Sequence, residues 1–158
     1  MRLVGILTLA ICVPAAAQEV SRHRDWALDC RAEAPGQTTC VLAQRLVTPE
    51  SGAEIAQIIL RHAQGRDALV LRVPTGVDLT RAPAFAVDGG AGTALIWTAC
   101  DARHCLATAP LGNDQVQALR DGVIATFGYQ RIDAEQPVLF DASLLGISAG
   151  WDALIAAE

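Results

Sequence analysis

Residues 54–73 read EIAQIILRHAQGRDALVLRV. The first half, Glu54–His62, fits either a strand or a helix, because three isoleucines and a histidine also recur at helical spacing. We favour a strand because isoleucine is β-branched and because Gly65 follows in a turn. The second half, Leu69–Val73, is apolar except for Arg72, as expected of a strand that is covered on both faces. The stretch therefore predicts two consecutive strands separated by a turn.

Short strand-like segments continue on both sides of this stretch. Turn residues separate them, and Asp88-Gly89 suits a tight hairpin because glycine tolerates positive φ. The predicted strands are Trp26–Cys30, Thr39–Leu46, Glu54–His62, Leu69–Val73, Ala84–Asp88, Ala94–Cys100, Leu106–Ala109, Val123–Tyr129 and Val138–Leu144. Short strands at such regular spacing predict a mainly β fold, a β-sandwich-like single domain.

Two short helices complete the prediction. Asn113 or Asp114 can cap a helix that runs to Arg120 and ends at Gly122. A second helix is predicted at the end of the chain, over Trp151–Ala157.

The N-terminus has the pattern of an export signal. Met1-Arg2 is a short positive region, Leu3–Val13 is an apolar run, and Ala15-Ala16-Ala17 is a small-residue cleavage site. The run of eleven residues is short of the roughly 20 that a spanning helix needs. Cys12 lies inside this run and follows Ile11, so it does not match a lipid-attachment site. We therefore predict a signal peptide at residues 1–17, a domain at residues 18–158 without a membrane span, and a periplasmic, cell-surface or secreted location.

Four cysteines remain after the signal. Cys30 and Cys40 form one close pair, and Cys100 and Cys105 form the other. An even number of cysteines in an exported chain indicates disulfides, whereas a zinc site would show two knuckles of closer spacing. Four cysteines allow three pairings. We favour local pairing because turn residues lie within each pair, but the spacing leaves the other pairings open.

The charge of the chain argues against nucleic acid as a partner. The formal net charge is −5, lysine is absent, and the arginines are scattered rather than clustered. A phosphate-binding surface requires a concentrated positive stripe. The one basic cluster, Arg22-His23-Arg24, is expected in a solvated N-terminal lead.

One motif suggests catalysis. Gly146-Ile147-Ser148-Ala149-Gly150 matches the G-x-S-x-G pattern of a serine nucleophile, so a periplasmic serine hydrolase using Ser148 is the alternative function. The pattern normally precedes a long helix and a later histidine, and neither follows here. His104, which precedes Ser148 in the chain, would therefore have to act as the base. A turn with Ser148 as a helix cap is favoured. We predict no catalytic residue, no metal ligand and no cofactor.

Several landmarks together resemble the bacterial invasion-associated locus B family. They include the Cys100 and Cys105 pair and five short segments: Trp26–Cys30, Cys40–Gln44, Val73–Leu79, Val87–Gly89 and Ser143–Gly146, in this order. After the last glycine the family tends to have an aromatic residue, where this chain has Ile147.

The resemblance implies a small exported protein of the bacterial envelope or surface, linked in some pathogens to host-cell entry. It implies no defined catalytic site. We expect a non-enzymatic domain that binds a protein or an envelope component.

Overall fold

The computed structural model describes residues 19–157. The predicted signal peptide, residues 1–17, lies outside the described residues. Eleven strands and two helices occur in the described part. The strands are β1 (Glu19–His23), β2 (Trp26–Ala34), β3 (Gln37–Val47), β4 (Glu54–Ala63), β5 (Arg66–Pro74), β6 (Ala84–Val87), β7 (Thr93–Ala94), β8 (Ile96–Cys100), β9 (His104–Leu111), β10 (Ile124–Tyr129) and β11 (Val138–Ser143). The helices are α1 (Asn113–Asp121) and α2 (Ile147–Ala156).

The strands form two antiparallel sheets. The larger has the order β1-β2-β3-β4-β5-β9-β8, and the smaller has the order β11-β10-β6-β7. The predicted strands of residues 54–73 are confirmed as β4 and β5, which pair along their length in the middle of the larger sheet. The mainly β fold with two sheets and two helices is therefore confirmed.

The core lies between the inner faces of the sheets and beneath α2. Alternate residues of the larger sheet point into it, for example Leu42, Ile58 and Leu60, which are almost wholly buried. Helix α2 covers β2 and β3 with Trp151 and Leu154. Among residues 19–157, no helix has the length and apolar character needed to cross a membrane.

Both disulfides have the predicted pairing. Cys30 bonds Cys40 between β2 and β3, and Cys100 bonds Cys105 between β8 and β9. Each pair is directly opposed in the strand register. The Cα atoms are therefore 4.1 and 4.0 Å apart, closer than the roughly 5.5–6 Å of an average bridge.

The structure corrects three of the predicted elements. The predicted strand Ala94–Cys100 is divided: β7 joins the smaller sheet, Leu95 is buried, and β8 joins the larger one. The expected N-terminal lead is an edge strand, β1, which pairs with β2 although its side chains are exposed. The strand predicted at Val123–Tyr129 begins one residue later, as β10, and Val123 is exposed just before it.

Both helices begin earlier than predicted. The N-cap of α1 is Gly112, whose N–H donates to the side chain of Gln115, instead of Asn113 or Asp114. Helix α2 begins at Ile147, four residues before the predicted start, with Gly146 as its N-cap. Glycine suits this position because its φ is +90°.

Candidate functional site

The candidate site is a groove on the outer face of the larger sheet, the face turned away from the core. It follows β3 and has a volume of about 360 Å³. Its floor consists of Thr39, Val41 and Ala43, which occupy alternate positions and so point to the same side. We call this feature the β3 groove.

Side-chain size explains why the groove follows β3. The walls are longer side chains on the neighbouring strands: Asp29, Arg31 and Glu33 on β2, and Gln57, Ile59 and Arg61 on β4. The register sets them beside the short floor residues, since Arg31 pairs with Thr39, Asp29 with Val41, and Ile59 with Ala43. A row of small side chains between two rows of long ones produces a channel parallel to the strands.

The groove combines an apolar floor with charged walls. Val41, Ala43 and Ile59 are each partly exposed and offer apolar contact. Arg31 forms an ion pair with Asp29 at 2.8 Å. Arg61 is exposed on the opposite wall and, within residues 19–157, pairs with no acidic side chain. The groove thus offers apolar contact together with a guanidinium that can donate hydrogen bonds to a carboxylate.

A charge cluster closes the end of the groove near Arg72. Glu54 accepts hydrogen bonds from Arg72 Nη2 at 3.0 Å and from Arg45 Nε at 2.7 Å. His104 Nε2 lies 3.5 Å from the same carboxylate. Burial acts to raise the pKa of Glu54, but the two arginines outweigh it and lower the pKa from its ordinary value of 4.5. The ionised Glu54 therefore holds Arg45 and Arg72 in place.

The structure does not bring Ser148 and His104 together. Ser148 is the second residue of α2 instead of a cap, and its hydroxyl donates to the Arg120 carbonyl at 2.8 Å. This helix packs on the inner face of the larger sheet. His104 contacts Glu54 and Asp101 beside the outer face. The sheet separates the two residues, so the arrangement that a serine nucleophile requires is not formed.

The other histidines lie outside the groove lining. His62 Nδ1 is 2.7 Å from Asp67 Oδ1 across the β4–β5 hairpin. His23 lies at the end of β1, where its ring is near Ser21. Residues 19–157 contain no group of three side chains suited to a metal ion.

The tryptophans are mainly core residues. Trp26 and Trp151 are almost wholly buried. Trp97 is partly exposed, and its Nε1 donates to the Arg81 carbonyl at 3.0 Å. None of the three lines the β3 groove.

The comparisons with known proteins agree with the residue pattern. A family model described as invasion associated locus B (IalB) protein matches residues 26–155. The chain belongs to this family. IalB relatives include an invasion protein B homolog of Brucella abortus (strain 2308), which is 29% identical over 152 residues, 95% of this chain and 87% of the relative. A homolog of Brucella abortus biovar 1 (strain 9-941) matches to the same extent.

A solved structure of the IalB group shares the fold. The crystal structure of invasion associated protein b from Bartonella henselae superposes with a TM-score of 0.77 at 21% identity. The match covers 88% of this chain and 96% of that one. At this identity the likeness establishes the fold alone.

The register explains two of the segments by which the chain resembles the IalB family. Leu28 pairs with Leu42, and Cys30 pairs with Cys40, so the segments Trp26–Cys30 and Cys40–Gln44 are opposite strands of one hairpin. The side chains of these two leucines and two cysteines point to the inner face of the larger sheet. This part of the pattern is therefore structural, with a buried leucine pair beside a disulfide.

A third segment meets the same hairpin through hydrogen bonds. The Ser143 carbonyl accepts from Trp26 Nε1 and from Gln44 Nε2, each at 3.0 Å. Gln44 Nε2 also lies 3.3 Å from the Asp25 carbonyl, to which it donates. These contacts join the two sheets near their common edge.

Sequence reasoning did not find the β3 groove. Its floor residues are ordinary for a strand, and the arginines appear scattered along the chain. The groove becomes visible only when the register sets β2 and β4 beside β3. Small residues alternating along Thr39–Ala43, with long residues on the flanking strands, are the available signal.

Proposed function

We propose that this chain is an exported, non-enzymatic binding domain that acts in the bacterial envelope or at the cell surface. The β3 groove is the observation that carries the proposal. It offers apolar contact from Val41 and Ile59 beside the guanidinium of Arg61, which has no acidic partner within residues 19–157. A surface of this kind is suited to binding.

The occupant that fits the β3 groove best is an extended polypeptide segment of an envelope protein. Thr39 to Ala43 covers four residue steps, or about 13 Å at strand spacing. Four extended residues therefore match its length. An apolar side chain can contact Val41 and Ile59, while a carboxylate two or three residues away can pair with Arg61.

Export is supported by the disulfides and by the family. Bonds Cys30–Cys40 and Cys100–Cys105 persist in oxidising compartments such as the periplasm. The Brucella relatives are named invasion protein B homologs. We extend to this chain the envelope or surface location that such a name suggests, including a virulence-associated role in a host-associated bacterium.

The absence of catalysis is part of the proposal and has its own test. The Ser148 hydroxyl already donates to the Arg120 carbonyl, and His104, the base that the hydrolase alternative would use, is across the sheet. Incubation of the purified protein with a fluorophosphonate probe should therefore give no labelling. Labelling that disappears in Ser148→Ala would favour the serine hydrolase instead.

Affinity capture with groove variants tests the binding function. Ala43→Arg puts a long side chain on the groove floor, and Ala86→Arg makes the same change on the outer face of the smaller sheet. Both alanines are partly exposed on inner strands of their sheets. We expect immobilised wild-type protein and Ala86→Arg to retain the same envelope protein, and Ala43→Arg to lose at least nine-tenths of it. Equal retention by all three proteins would exclude the groove as the binding site.

A further inference from the structure

Strand β1 differs from the other strands that lie at the edges of the sheets. Within residues 19–157, the two sheets end in four edge strands, β1, β7, β8 and β11. Strand β7 has only two residues, and the pairing of β8 contains a register shift. In β11, the Ser143 carbonyl accepts hydrogen bonds from the side chains of Trp26 and Gln44. Short strands, bulges and covering groups are usual means of keeping an edge from pairing with another chain.

Strand β1 has none of these protections. Its five residues pair with β2 in continuous register, and none of them is proline. The residues from Glu19 to Arg22 are exposed, and His23 is partly exposed. No other strand of the described part of the chain pairs with the free side of β1. The backbone groups on that side are therefore open to a further strand.

The first disulfide shows which backbone groups of β1 point outward. The Cα atoms of Cys30 and Cys40 are 4.1 Å apart, which is the short spacing of an opposed pair that exchanges no backbone hydrogen bonds. The backbone groups of Cys30 therefore point to β1, where Glu19 is its partner in register. Because hydrogen bonding alternates along an antiparallel strand, the outward N–H and C=O groups of β1 are those of Val20 and Arg22.

The sequence of β1 is complementary to itself in antiparallel pairing. It reads Glu19-Val20-Ser21-Arg22-His23. A two-fold axis at Ser21 sets Val20 opposite Arg22 of a second copy, so all the outward backbone groups find partners. The same axis sets Glu19 opposite His23 of the second copy at both ends of the pairing. There the imidazole can donate to the carboxylate, and such cross-strand pairs of opposite charge are stabilising.

The neighbouring registers are less favourable. An axis at Arg22 sets this residue opposite itself, and like charges directly opposite each other are destabilising. An axis at Val20 separates Glu19 from His23 of the second copy. The charges of β1 thus favour one register and one partner, a second copy of this chain.

We propose that β1 is a dimerisation surface, at which two copies of this chain join their larger sheets by antiparallel pairing about Ser21. The five residues of β1 on each side are far fewer than the roughly 20–30 of a stable interface, so the dimer is weak and depends on concentration. The joined sheet has the local order β3-β2-β1-β1-β2-β3, which puts the two β3 grooves five strand spacings, or about 24 Å, apart. The dimer itself does not depend on the proposed function of the β3 groove.

Cysteine cross-linking tests the register. In the proposed dimer, Ser21 lies opposite Ser21 of the second copy with the Cα atoms about 4.5 Å apart, close enough for a disulfide. Val20 and its copy are diagonal neighbours about 8 Å apart, beyond the reach of a disulfide. We expect Ser21→Cys at submillimolar concentration in a glutathione redox buffer to become mainly a linked dimer, and Val20→Cys to stay at least nine-tenths monomeric. Non-reducing peptide mapping locates the bond. Equal cross-linking of the two variants, or none in either, would overturn the proposal.

Sedimentation equilibrium with two variants of one residue tests the backbone pairing. Arg22→Pro removes an outward N–H and keeps the pairing of β1 with β2, because an edge strand accepts proline at such a position. Arg22→Ala is the matched control, since it removes the same side chain and keeps the N–H. Self-association should weaken at least tenfold in Arg22→Pro and less than threefold in Arg22→Ala. A wild-type protein that stays monomeric up to millimolar concentration, or a dimer that Arg22→Pro does not weaken, contradicts the proposal. The cross-linking result stands independently if proline loosens β1.

Discussion

Gly146 shows how a single residue connects distant parts of this fold. Its φ is +90°, and a Cβ built on it would lie 2.1 Å from the His23 carbonyl oxygen. Any larger residue must therefore displace the turn between β1 and β2. Gly36, in the turn between β2 and β3, also has a positive φ of +78°, but a Cβ added there would meet no atom within 4 Å. Substitutions at the two glycines therefore separate the cost of the left-handed backbone from the cost of a steric clash.

We expect Gly36→Ala to lower the free energy of unfolding by about 1 kcal/mol, through its left-handed backbone alone. Gly146→Ala should cost about 3 kcal/mol, because a backbone clash adds about 2 kcal/mol to the same term. Urea denaturation followed by tryptophan fluorescence measures both. If both variants lose the same free energy of unfolding, the turn between β1 and β2 moves away from the added methyl group without destabilising the protein.

Glu54 predicts a pH dependence of stability. Its pKa is lowered in the folded state: burial acts to raise it, but hydrogen bonds from Arg45 and Arg72 outweigh that effect. A lowered folded-state pKa stabilises the protein above the unfolded pKa of about 4.5, and this contribution is lost as the pH falls through the folded value.

The stability advantage of wild-type protein over Glu54→Gln should therefore be full at pH 7 and should shrink below about pH 4.5. Urea denaturation of both proteins between pH 3 and pH 7 measures the difference. Asp78, Asp101 and Asp133 also have lowered pKa values, from hydrogen bonds to Thr80, to backbone N–H groups and to Arg131 respectively, but they are present in both proteins and cancel. A difference that does not change with pH would contradict the role of Glu54.

At the scale of elements, each disulfide joins two neighbouring strands of a hairpin. The two bridges close loops of different length, since the cysteines are 10 and 5 residues apart. The shorter hairpin has additional support, because the Asp101 carboxylate accepts from the backbone N–H groups of Arg103 and His104. It can therefore stay closed without its bridge.

From loop-closure entropy, the Cys30–Cys40 bridge should stabilise the fold by about 2.7 kcal/mol and the Cys100–Cys105 bridge by about 2.1 kcal/mol. We expect Cys100→Ala/Cys105→Ala to remain folded with the smaller loss, and Cys30→Ala/Cys40→Ala to lose more. Thermal melts by circular dichroism compare them. Complete unfolding of the Cys100/Cys105 variant, with little change in the other, would contradict this expectation. It would show that the short hairpin stabilises strands beyond the edge of the larger sheet.

The elements that sequence predicted correctly have strong local patterns. The hairpin of β4 and β5 carries apolar alternation around a glycine turn, and the turns between the cysteines favour the local pairing that is observed. Strand β1 was not predicted because its exposed residues lack alternation and its pairing with β2 is tertiary. The division of Ala94–Cys100 between sheets was equally invisible, because Leu95 is simply one more apolar residue of the segment.

At the scale of the molecule, the two sheets share one core and leave the outer face of the larger sheet uncovered. Four arginines, Arg31, Arg45, Arg61 and Arg72, lie on or beside this face in a chain whose formal net charge is −5. They are far apart in sequence, so neither their grouping nor the β3 groove could be predicted before the strand register was known. The cysteines were predictable because their chemistry is local.

The claim that the β3 groove binds a partner is tested most directly by methyl NMR. Protein labelled at isoleucine, leucine and valine methyls is titrated with the envelope protein that the wild-type column retains. Val41 and Ile59 on the outer face should shift or broaden, while Leu42 and Ile58, their buried neighbours on β3 and β4, should change far less. Changes confined instead to Ile124 and Leu139, which are exposed on the smaller sheet, would contradict the account.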